Sequence, residues 1–236
     1  MKSYLRKILN KYKIDLTKNL RYDRLSKLIL KSELNLNSNC IDVGCHKGEF
    51  LDMIMEFSPN GNHFCFEPIP SLLSDLESKY SNYKNIKIFP FAVGKSKGVE
   101  NFNVVIDSPA YSGLKIRDYK KSNPEIKKIK VEVTTLDEVV NTKIDFIKID
   151  VEGGEFDVLL GASEIIDRDK PLILFEFGLG ASDFYGTTPK DIYEYLTTKG
   201  YKLYDLNSFL KNNNHYSFEE FKKTYELKKE YYFIAS

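Results

Sequence analysis

Residues 40–50 read Cys-Ile-Asp-Val-Gly-Cys-His-Lys-Gly-Glu-Phe, and this stretch decides the fold of the chain. A short apolar run ends at Gly44, and after Gly48 the apolar residues, such as Phe50 and Ile54, recur at helical spacing. The pattern therefore predicts a strand, a glycine turn and a helix. A turn of this kind brings backbone N–H groups to the helix N-terminus, where glycine leaves room for a ligand to approach the backbone.

The glycine spacing alone does not identify the ligand. Gly44-x-x-x-Gly48 is neither the dinucleotide fingerprint G-x-G-x-x-G nor a P-loop. A tight connection between strand and helix explains it equally well. Asp42, close to the strand end, either orients the loop or reaches a ligand ammonium group through water.

A second predicted strand makes the ligand interpretation more specific. It runs from Asn62 to Phe66 and ends in Glu67 and Pro68. In a βαβ unit, an acid at the end of the second strand lies beside the first turn and can accept hydrogen bonds from both ribose hydroxyls. The alternative is that Glu67 is an exposed acid at a strand end.

Two later strands also end in acids. Residues 145–150 form an apolar strand that ends in Asp150 and leads into Val-Glu152-Gly-Gly-Glu, and residues 171–177 form another that carries Glu176. Ligands bind outside the carboxyl ends of strands in open α/β sheets, so these acids should meet the glycine turn. Glu152 has a second explanation, as an acid that complements the dipole of the following helix.

The remaining chain predicts further strands around this centre. The third strand is predicted over residues 85–94, another over 102–106, and an edge strand over 128–133. The loop at residues 107–113 either recognises a second substrate or is a plain hairpin connection. The strands at 201–206 and 231–235 have no glycine turn of the βαβ type between them, which predicts an antiparallel pair at one edge of the sheet.

Composition limits the classes of function. The 236 residues suit one α/β domain, residues 39–236, after an N-terminal helical cap, residues 1–38. A helix that binds a membrane surface or a partner is the alternative for the basic start, where Leu5, Ile8, Leu9 and Tyr12 have helical spacing. With 35 basic and 34 acidic residues, no nucleic-acid surface is expected.

The cysteines and the hydropathy pattern give an expected location. The three cysteines form no C-x-x-C pair. We expect Cys40, Cys45 and Cys65 to be small core residues in a reducing compartment. Neither a signal peptide nor a long apolar run is evident, so we expect a cytoplasmic protein without an integral membrane segment. A homo-oligomer is compatible with the sequence.

Together these stretches resemble the FkbM family of methyltransferases, which use S-adenosylmethionine. The matching motifs are Ile-Asp-Val-Gly-x-x-x-Gly at 41–48, Phe-Glu-Pro at 66–68, Ala-Val-Gly at 92–94, Thr-Leu-Asp at 135–137, Ile-Lys-Ile-Asp-Val-Glu-Gly-x-Glu at 147–155 and Val-Leu-x-Gly-Ala at 158–162. His46 and Cys45 depart from the family's usual Gly-Ala-Asn. The resemblance implies a class I methyltransferase fold: a Rossmann-like, seven-stranded, mostly parallel sheet with helices on both faces and an antiparallel C-terminal strand pair.

The resemblance also implies roles for the residues. Gly44 and Gly48 would underlie the methionine part of the cofactor, Glu67 would hold the ribose, and Phe91 and Ala92 would border the adenine. The expected cofactor site comprises Asp42, Gly44, Cys45, His46, Gly48, Glu67, Pro68, Phe91, Ala92 and Asp150. The expected catalytic residues are Asp150, Glu152 and His46.

The implied reaction is methylation of a hydroxyl on a sugar or another small molecule, with surface polysaccharide biosynthesis as the expected setting. A hydroxyl is a poor nucleophile, so a base or a metal must help to remove its proton. Asp150 with Glu152 or Glu176 could hold a divalent ion. We favour a base, with Asp150 nearest the acceptor, and predict no metal site. The alternatives are a nicotinamide-dependent sugar oxidoreductase and a non-catalytic cofactor-binding subunit.

Overall fold

A computed structural model describes residues 17–117, 119 and 124–236 of this chain. In these residues the strands are β1 (Cys40–Val43), β2 (His63–Phe66), β3 (Ile86–Phe89), β4 (Ala92–Val93), β5 (Gly98–Val105), β6 (Ile126–Thr134), β7 (Phe146–Ile149), β8 (Leu172–Glu176), β9 (Leu203–Asp205) and β10 (Tyr232–Ala235). The α-helices are α1 (Lys18–Glu33), α2 (Glu49–Phe57), α3 (Pro70–Tyr80), α4 (Leu136–Val139), α5 (Glu155–Leu160), α6 (Ser163–Asp169), α7 (Pro189–Thr198), α8 (Leu206–Leu210) and α9 (Phe218–Glu226).

Seven strands form the main sheet in the order β3-β2-β1-β7-β8-β10-β9. The pairs from β3 to β8 are parallel, whereas β10 lies antiparallel between β8 and β9. This confirms the predicted mostly parallel sheet with a C-terminal antiparallel pair. The chain turns to opposite sides of the sheet on leaving β1 and β7, so the switch point that binds ligands in such folds lies between these two strands.

Helices cover both faces of the main sheet, as predicted. One apolar cluster joins the strands to α4, α5, α6, α7 and α9, and the other joins them to α1, α2, α3 and α8. The central strands β1, β2 and β7 are buried along their whole length, which explains why all but one residue in each is apolar. Across the described ranges, no helix is both long and apolar enough to span a bilayer.

The predicted strand at residues 85–94 is interrupted, and this corrects the sequence prediction. Pro90 lacks an N–H for the ladder and separates β3 from β4. Beyond it the chain leaves the main sheet, because β4 pairs with β6 in a second sheet of order β4-β6-β5. This second sheet lies beyond β3 in the chain and carries one wall of the site described below.

The strand expected at a sheet edge over residues 128–133 is also corrected. It belongs to β6, which is the middle strand of the second sheet and pairs with both β4 and β5. Its alternating pattern reflects one buried face, with Val131 and Val133 inside and Lys130 and Glu132 outside. Alternation therefore reports which face is buried and does not report how many neighbours a strand has.

Helix α1 packs on the face of the sheet that also carries α2 and α8. Thr17 caps its N-terminus by accepting a hydrogen bond from the Leu20 N–H at 3.2 Å. Leu25, Ile29 and Leu30 are buried, which supports the packed-cap interpretation for this helix. The first predicted helical pattern, at residues 5–12, lies outside the described residues, and the boundary at residue 38 stays a prediction.

Candidate active site

A cleft opens at the carboxyl ends of β1, β2 and β7. Its walls come from the loop after β1, from the residues after β2 and β3, from the second sheet with its 109–114 segment, and from the turn after β7. The lining residues used below are Gly44, His46, Glu67, Pro68, Phe91, Ala92, Phe102, Ser112, Leu114, Asp150, Glu152 and Tyr185. Eight of the predicted site residues are therefore brought together in one cleft: Gly44, His46, Glu67, Pro68, Phe91, Ala92, Asp150 and Glu152.

The glycines of the first turn are needed for contacts within the protein. Gly44 and Gly48 have φ values of +74° and +71°. A Cβ on Gly44 would lie 2.0 Å from the Asp150 carbonyl oxygen, and one on Gly48 would lie 2.4 Å from the Tyr80 hydroxyl. The space of the missing Cβ atoms is therefore filled by the protein itself, and the expected approach of a ligand to this turn stays a prediction. These glycines let the loop pack against the turn after β7 and against α3.

Glu67 is buried and fastens two loops, so the interpretation as an exposed strand-end acid is wrong. Its side chain accepts the His46 N–H at 2.9 Å on Oε2 and the Ile69 N–H at 3.0 Å on Oε1. Burial raises the pKa of Glu67 to about 7, although the hydrogen bonds from Ile69 and His46 oppose the rise. Each carboxylate oxygen keeps a lone pair for a further donor, such as a hydroxyl in the cleft.

Asp42 is fully buried and pairs with Lys148, which lies beside it on β7. The Lys148 Nζ is 3.2 Å from Asp42 Oδ1 and 3.7 Å from Asp150 Oδ2, and it donates to the Gly44 carbonyl at 2.8 Å. The ammonium group that Asp42 meets among the described residues is therefore a side chain, and its expected contact with a ligand through water stays a prediction. Burial raises the pKa of Asp42, and Lys148 offsets this only in part.

Sequence reasoning missed Lys148 as a functional residue. Burial alone would lower its pKa, but Asp42 and Asp150 reverse the shift, so the pKa of Lys148 is raised and the ammonium stays charged. The available signal was a single lysine inside the apolar run Phe146-Ile-Lys-Ile149. A charged residue in a strand buried on both faces needs a partner on a neighbouring strand.

Three acids, Asp150, Glu152 and Glu176, have carboxylate oxygens within 4.8 Å of one another. For Asp150, burial raises the pKa, but Lys148 and the hydrogen bonds from Glu176 and Tyr232 outweigh it and leave the pKa below its usual range. Burial, followed by the charge of Asp150, raises the pKa of both Glu152 and Glu176 well above the usual range. The charge of Asp150 therefore weakens the acidity of both neighbouring carboxyls, and Asp150 is the strongest acid of the three.

Two residues that sequence reasoning missed hold these acids in place. The Tyr232 hydroxyl on the reversed strand β10 donates to Asp150 Oδ2 at 2.6 Å. The Arg117 Nη1 lies 2.5 Å from Glu152 Oε2. Nothing in the local pattern marked either residue, because both contacts join segments that are distant in sequence.

Glu155 fixes the turn that presents Glu152. Its Oε1 accepts the N–H groups of Val151 and Gly153 at 3.1 and 3.0 Å, and burial raises its pKa to about 7. Glu152 has a φ of +63°, in the left-handed region that non-glycine residues rarely occupy. Such a conformation persists only where its surroundings enforce it, and here they direct the carboxylate toward Arg117.

The other predicted residues of the first turn occupy different environments. His46 lines the cleft, and burial, followed by the charge of Lys47, lowers its pKa, so its imidazole is neutral at pH 7. The Cys45 side chain is buried and packs with Cys65, as expected for a core residue. All three cysteines are buried and free.

Comparison with known proteins was consistent with this geometry. The Methyltransferase FkbM domain matches residues 42–203. A curated relative, the 2-O-methyltransferase NoeI of Sinorhizobium fredii, is 27% identical over 145 residues, which cover 55% of this chain and 59% of the relative. This chain therefore spans less than two thirds of that relative.

Among solved structures, the fold is similar to a methyltransferase FkbM from Methylobacillus flagellatus. The TM-score is 0.55 with 16% sequence identity, and the match covers 86% of this chain and 44% of that chain. At this identity the likeness concerns the fold. It supports the sheet order, and the chemistry has to be argued from the residues.

Proposed function

Because this chain belongs to the Methyltransferase FkbM domain family, we propose that it transfers a methyl group from S-adenosylmethionine to a hydroxyl of a sugar or another small molecule. The observation that carries this proposal is Glu67, buried at the end of β2 with free lone pairs toward the cleft. The relative named above supports an oxygen as the atom that is methylated, because its name is 2-O-methyltransferase. We extend the proposal to acceptors of surface polysaccharide biosynthesis.

The residues present fit the cofactor. A ribose needs a hydrogen-bond acceptor for its two hydroxyls, and Glu67 offers a carboxylate already oriented by two backbone N–H groups. An adenine ring needs an apolar slot, and Phe91, Ala92 and Leu114 line the same cleft. On this assignment Phe102 of β5 and Leu114 of the segment between β5 and β6 join the residues expected from sequence.

When bound, S-adenosylmethionine supplies a methyl group on a sulfonium, which an oxygen nucleophile can attack. The protein contributes position and proton control. Asp150 is ionised at neutral pH and accepts a hydrogen bond from the acceptor hydroxyl, which orients the oxygen. Because the low pKa makes Asp150 a weak base, the proton leaves the hydroxyl only as the new bond forms.

The same three acids offer the oxygen donors that a divalent ion prefers. Their existing partners argue for the metal-free mechanism. Asp150 Oδ2 already accepts the Tyr232 hydroxyl, and Glu152 is paired with Arg117. A cation would have to replace these contacts, so we propose that proton removal depends on Asp150 alone.

Calorimetric titration with S-adenosylhomocysteine tests the proposal. We expect micromolar binding, about 8 kcal/mol, and no comparable affinity for NAD. Tight binding of NAD with no response to S-adenosylhomocysteine would instead favour a nicotinamide-dependent oxidoreductase. Binding of S-adenosylhomocysteine without methyl transfer to any glycoside would favour a non-catalytic cofactor-binding subunit.

A further inference from the structure

The segment between β5 and residue 117 forms a fixed wall beside the acids. Asn103 and Gly113 exchange backbone hydrogen bonds at 2.9 and 3.2 Å, which ties the segment to β5. On its other side, the Lys115 N–H donates to the Tyr185 hydroxyl at 3.1 Å. The wall is therefore held from both sides, and residues placed on it have defined positions relative to Asp150.

Arg117 ends this wall and has unused hydrogen-bonding capacity. Its guanidinium contacts Glu152 through Nη1 and lies 5.0 Å from the centre of the Tyr111 ring. The side chain is 12% exposed, and its Nε is buried with no hydrogen-bond partner among the described residues. Arg117 and Tyr119 line an opening that shares Asp150 and Glu152 with the cleft. The Tyr119 hydroxyl is also buried with no partner among the described residues.

Buried polar groups almost always have hydrogen-bond partners, so two buried groups without partners at one opening need an explanation. Both line the opening that also exposes Asp150, Glu152 and Glu176. The positive charge of Arg117 is already offset by Glu152, so Nε offers a hydrogen bond and little free charge. The acids nearby would repel an anionic group. A neutral oxygen, in a hydroxyl or a sugar ring, matches this environment.

Tyr111 adds an apolar surface to the wall. Its ring is 51% exposed, although the guanidinium of Arg117 stacks on it. A half-exposed aromatic ring beside hydrogen-bonding groups suits a partner with one apolar and one polar face. A pyranose has these properties, because its C–H groups form an apolar face and its hydroxyls point outward.

We propose that Arg117, Tyr119 and Tyr111 form the acceptor subsite and select a neutral pyranose, with Arg117 Nε and the Tyr119 hydroxyl bonded to its oxygens. This rests on the proposed function, since it names the acceptor class of the same site. It assigns a substrate role to a loop whose sequence was equally consistent with a plain hairpin connection. Arg117 is then a specificity-determining residue, and it also holds Glu152.

The competing explanation is that Arg117 only neutralises Glu152. The variant Arg117→Lys separates the two, because lysine keeps the charge and loses the planar guanidinium with its Nε donor. Tyr119→Phe removes a single hydroxyl and leaves the ring, which gives a second variant if Arg117→Lys fails to fold. Arg168→Lys is the matched control, since Arg168 is paired with Asp169 at 2.6 Å on a helix away from the cleft.

The assay is NMR titration of the protein loaded with S-adenosylhomocysteine. The probes are the methyl glycosides of glucose, galactose and mannose, with methyl glucuronide as the anionic counterpart. We expect at least one neutral glycoside to bind and methyl glucuronide to bind at least about tenfold more weakly. Arg117→Lys and Tyr119→Phe should each weaken the binding of the neutral glycoside by up to about tenfold. The affinity for S-adenosylhomocysteine and the behaviour of Arg168→Lys should match the wild type.

The subsite is refuted if both variants keep wild-type glycoside affinity, if methyl glucuronide binds better than every neutral probe, or if the wild type binds the cofactor product and none of the glycosides. A loss of S-adenosylhomocysteine affinity in Arg117→Lys would place Arg117 in the cofactor site and also refute it. Failure of the wild type to bind S-adenosylhomocysteine would be a failure of the proposed function, which the first titration detects separately.

Discussion

Among residues 17–117, 119 and 124–236, Lys148 is the only cation in the buried centre of the sheet, and replacing it with methionine would remove that charge. In the folded protein Lys148 Nζ approaches four acceptors: Asp42 Oδ1, Asp150 Oδ2 and the carbonyls of Val43 and Gly44. Methionine fills a similar volume without charge. Asp42, whose side chain is completely buried, would then keep no partner among the described residues.

The geometry predicts that replacing Lys148 costs more unfolding free energy than replacing Asp42. Breaking a buried pair so that one charge is left alone costs about 3–5 kcal/mol, and Lys148→Met leaves Asp42 in that state. Asp42→Asn leaves Lys148 with Asp150 and two carbonyls, so we expect a smaller loss of about 1–3 kcal/mol. The double variant should regain part of the loss, because the unpaired buried charge of Asp42 is gone, although Asp150 still lacks the Lys148 ammonium.

The cost of Lys148→Met should depend on pH with a definite sign. Burial already raises the pKa of Asp42 above its unfolded value, and removal of the ammonium raises it further. A carboxyl with a raised folded pKa contributes stability below its unfolded pKa, and this contribution is lost as the pH rises through the folded pKa. The free-energy penalty of Lys148→Met should therefore be smaller at pH 5 than at pH 8.

Urea unfolding of the four proteins, followed by circular dichroism, measures these free energies. Lys79→Met is the matched control, because Lys79 pairs with Asp52 at 2.7 Å with its side chain 38% exposed. An exposed pair contributes about 0–1 kcal/mol. If Asp42→Asn is as destabilising as Lys148→Met, or if the Lys148→Met penalty grows at low pH, the assignment of Lys148 as the sole partner of a buried Asp42 is wrong.

Three further predictions concern the site. Glu67→Ala should weaken S-adenosylhomocysteine binding by about 1.5–3 kcal/mol for each charge-assisted bond lost. The ribose hydroxyls need the ionised form of Glu67, whose pKa is about 7. Calorimetry should therefore show that the wild-type affinity falls below pH 7 and that the affinity of Glu67→Gln depends only weakly on pH. Wild-type affinity in Glu67→Ala would limit this residue to fastening loops. Methyl transfer should survive exhaustive chelation, and a loss that magnesium or manganese restores would contradict the metal-free mechanism. Gly48→Ala should cost about 1–3 kcal/mol of unfolding free energy, because the new Cβ meets Tyr80. Gly98→Ala should be near neutral, because nothing lies within 4 Å of the new Cβ. Equal costs of the two variants would contradict the steric argument.

The sequence predicted the sheet class and the position of the cleft because both depend on local patterns. Short apolar runs identified β1, β2, β7 and β8, and the acids Glu67, Asp150 and Glu176 stand at their carboxyl ends. Parallel strands share one edge, so these residues had to meet once the strands were parallel. Pro90 was the one local sign of a break, but the apolar residues on both sides of it predicted a single strand. Nothing local indicated that the chain then enters a second sheet.

By itself, then, the sequence determined which strands form and which ends carry acids. Only the tertiary structure decided what each acid does. Strand register places Lys148 opposite Asp42, and the insertion of β10 beside β8 brings the Tyr232 hydroxyl to Asp150. The connection between β5 and β6 brings Arg117 to Glu152. These contacts join residues far apart in the chain, and hydrophobic periodicity contains no information about strand order or register between such segments.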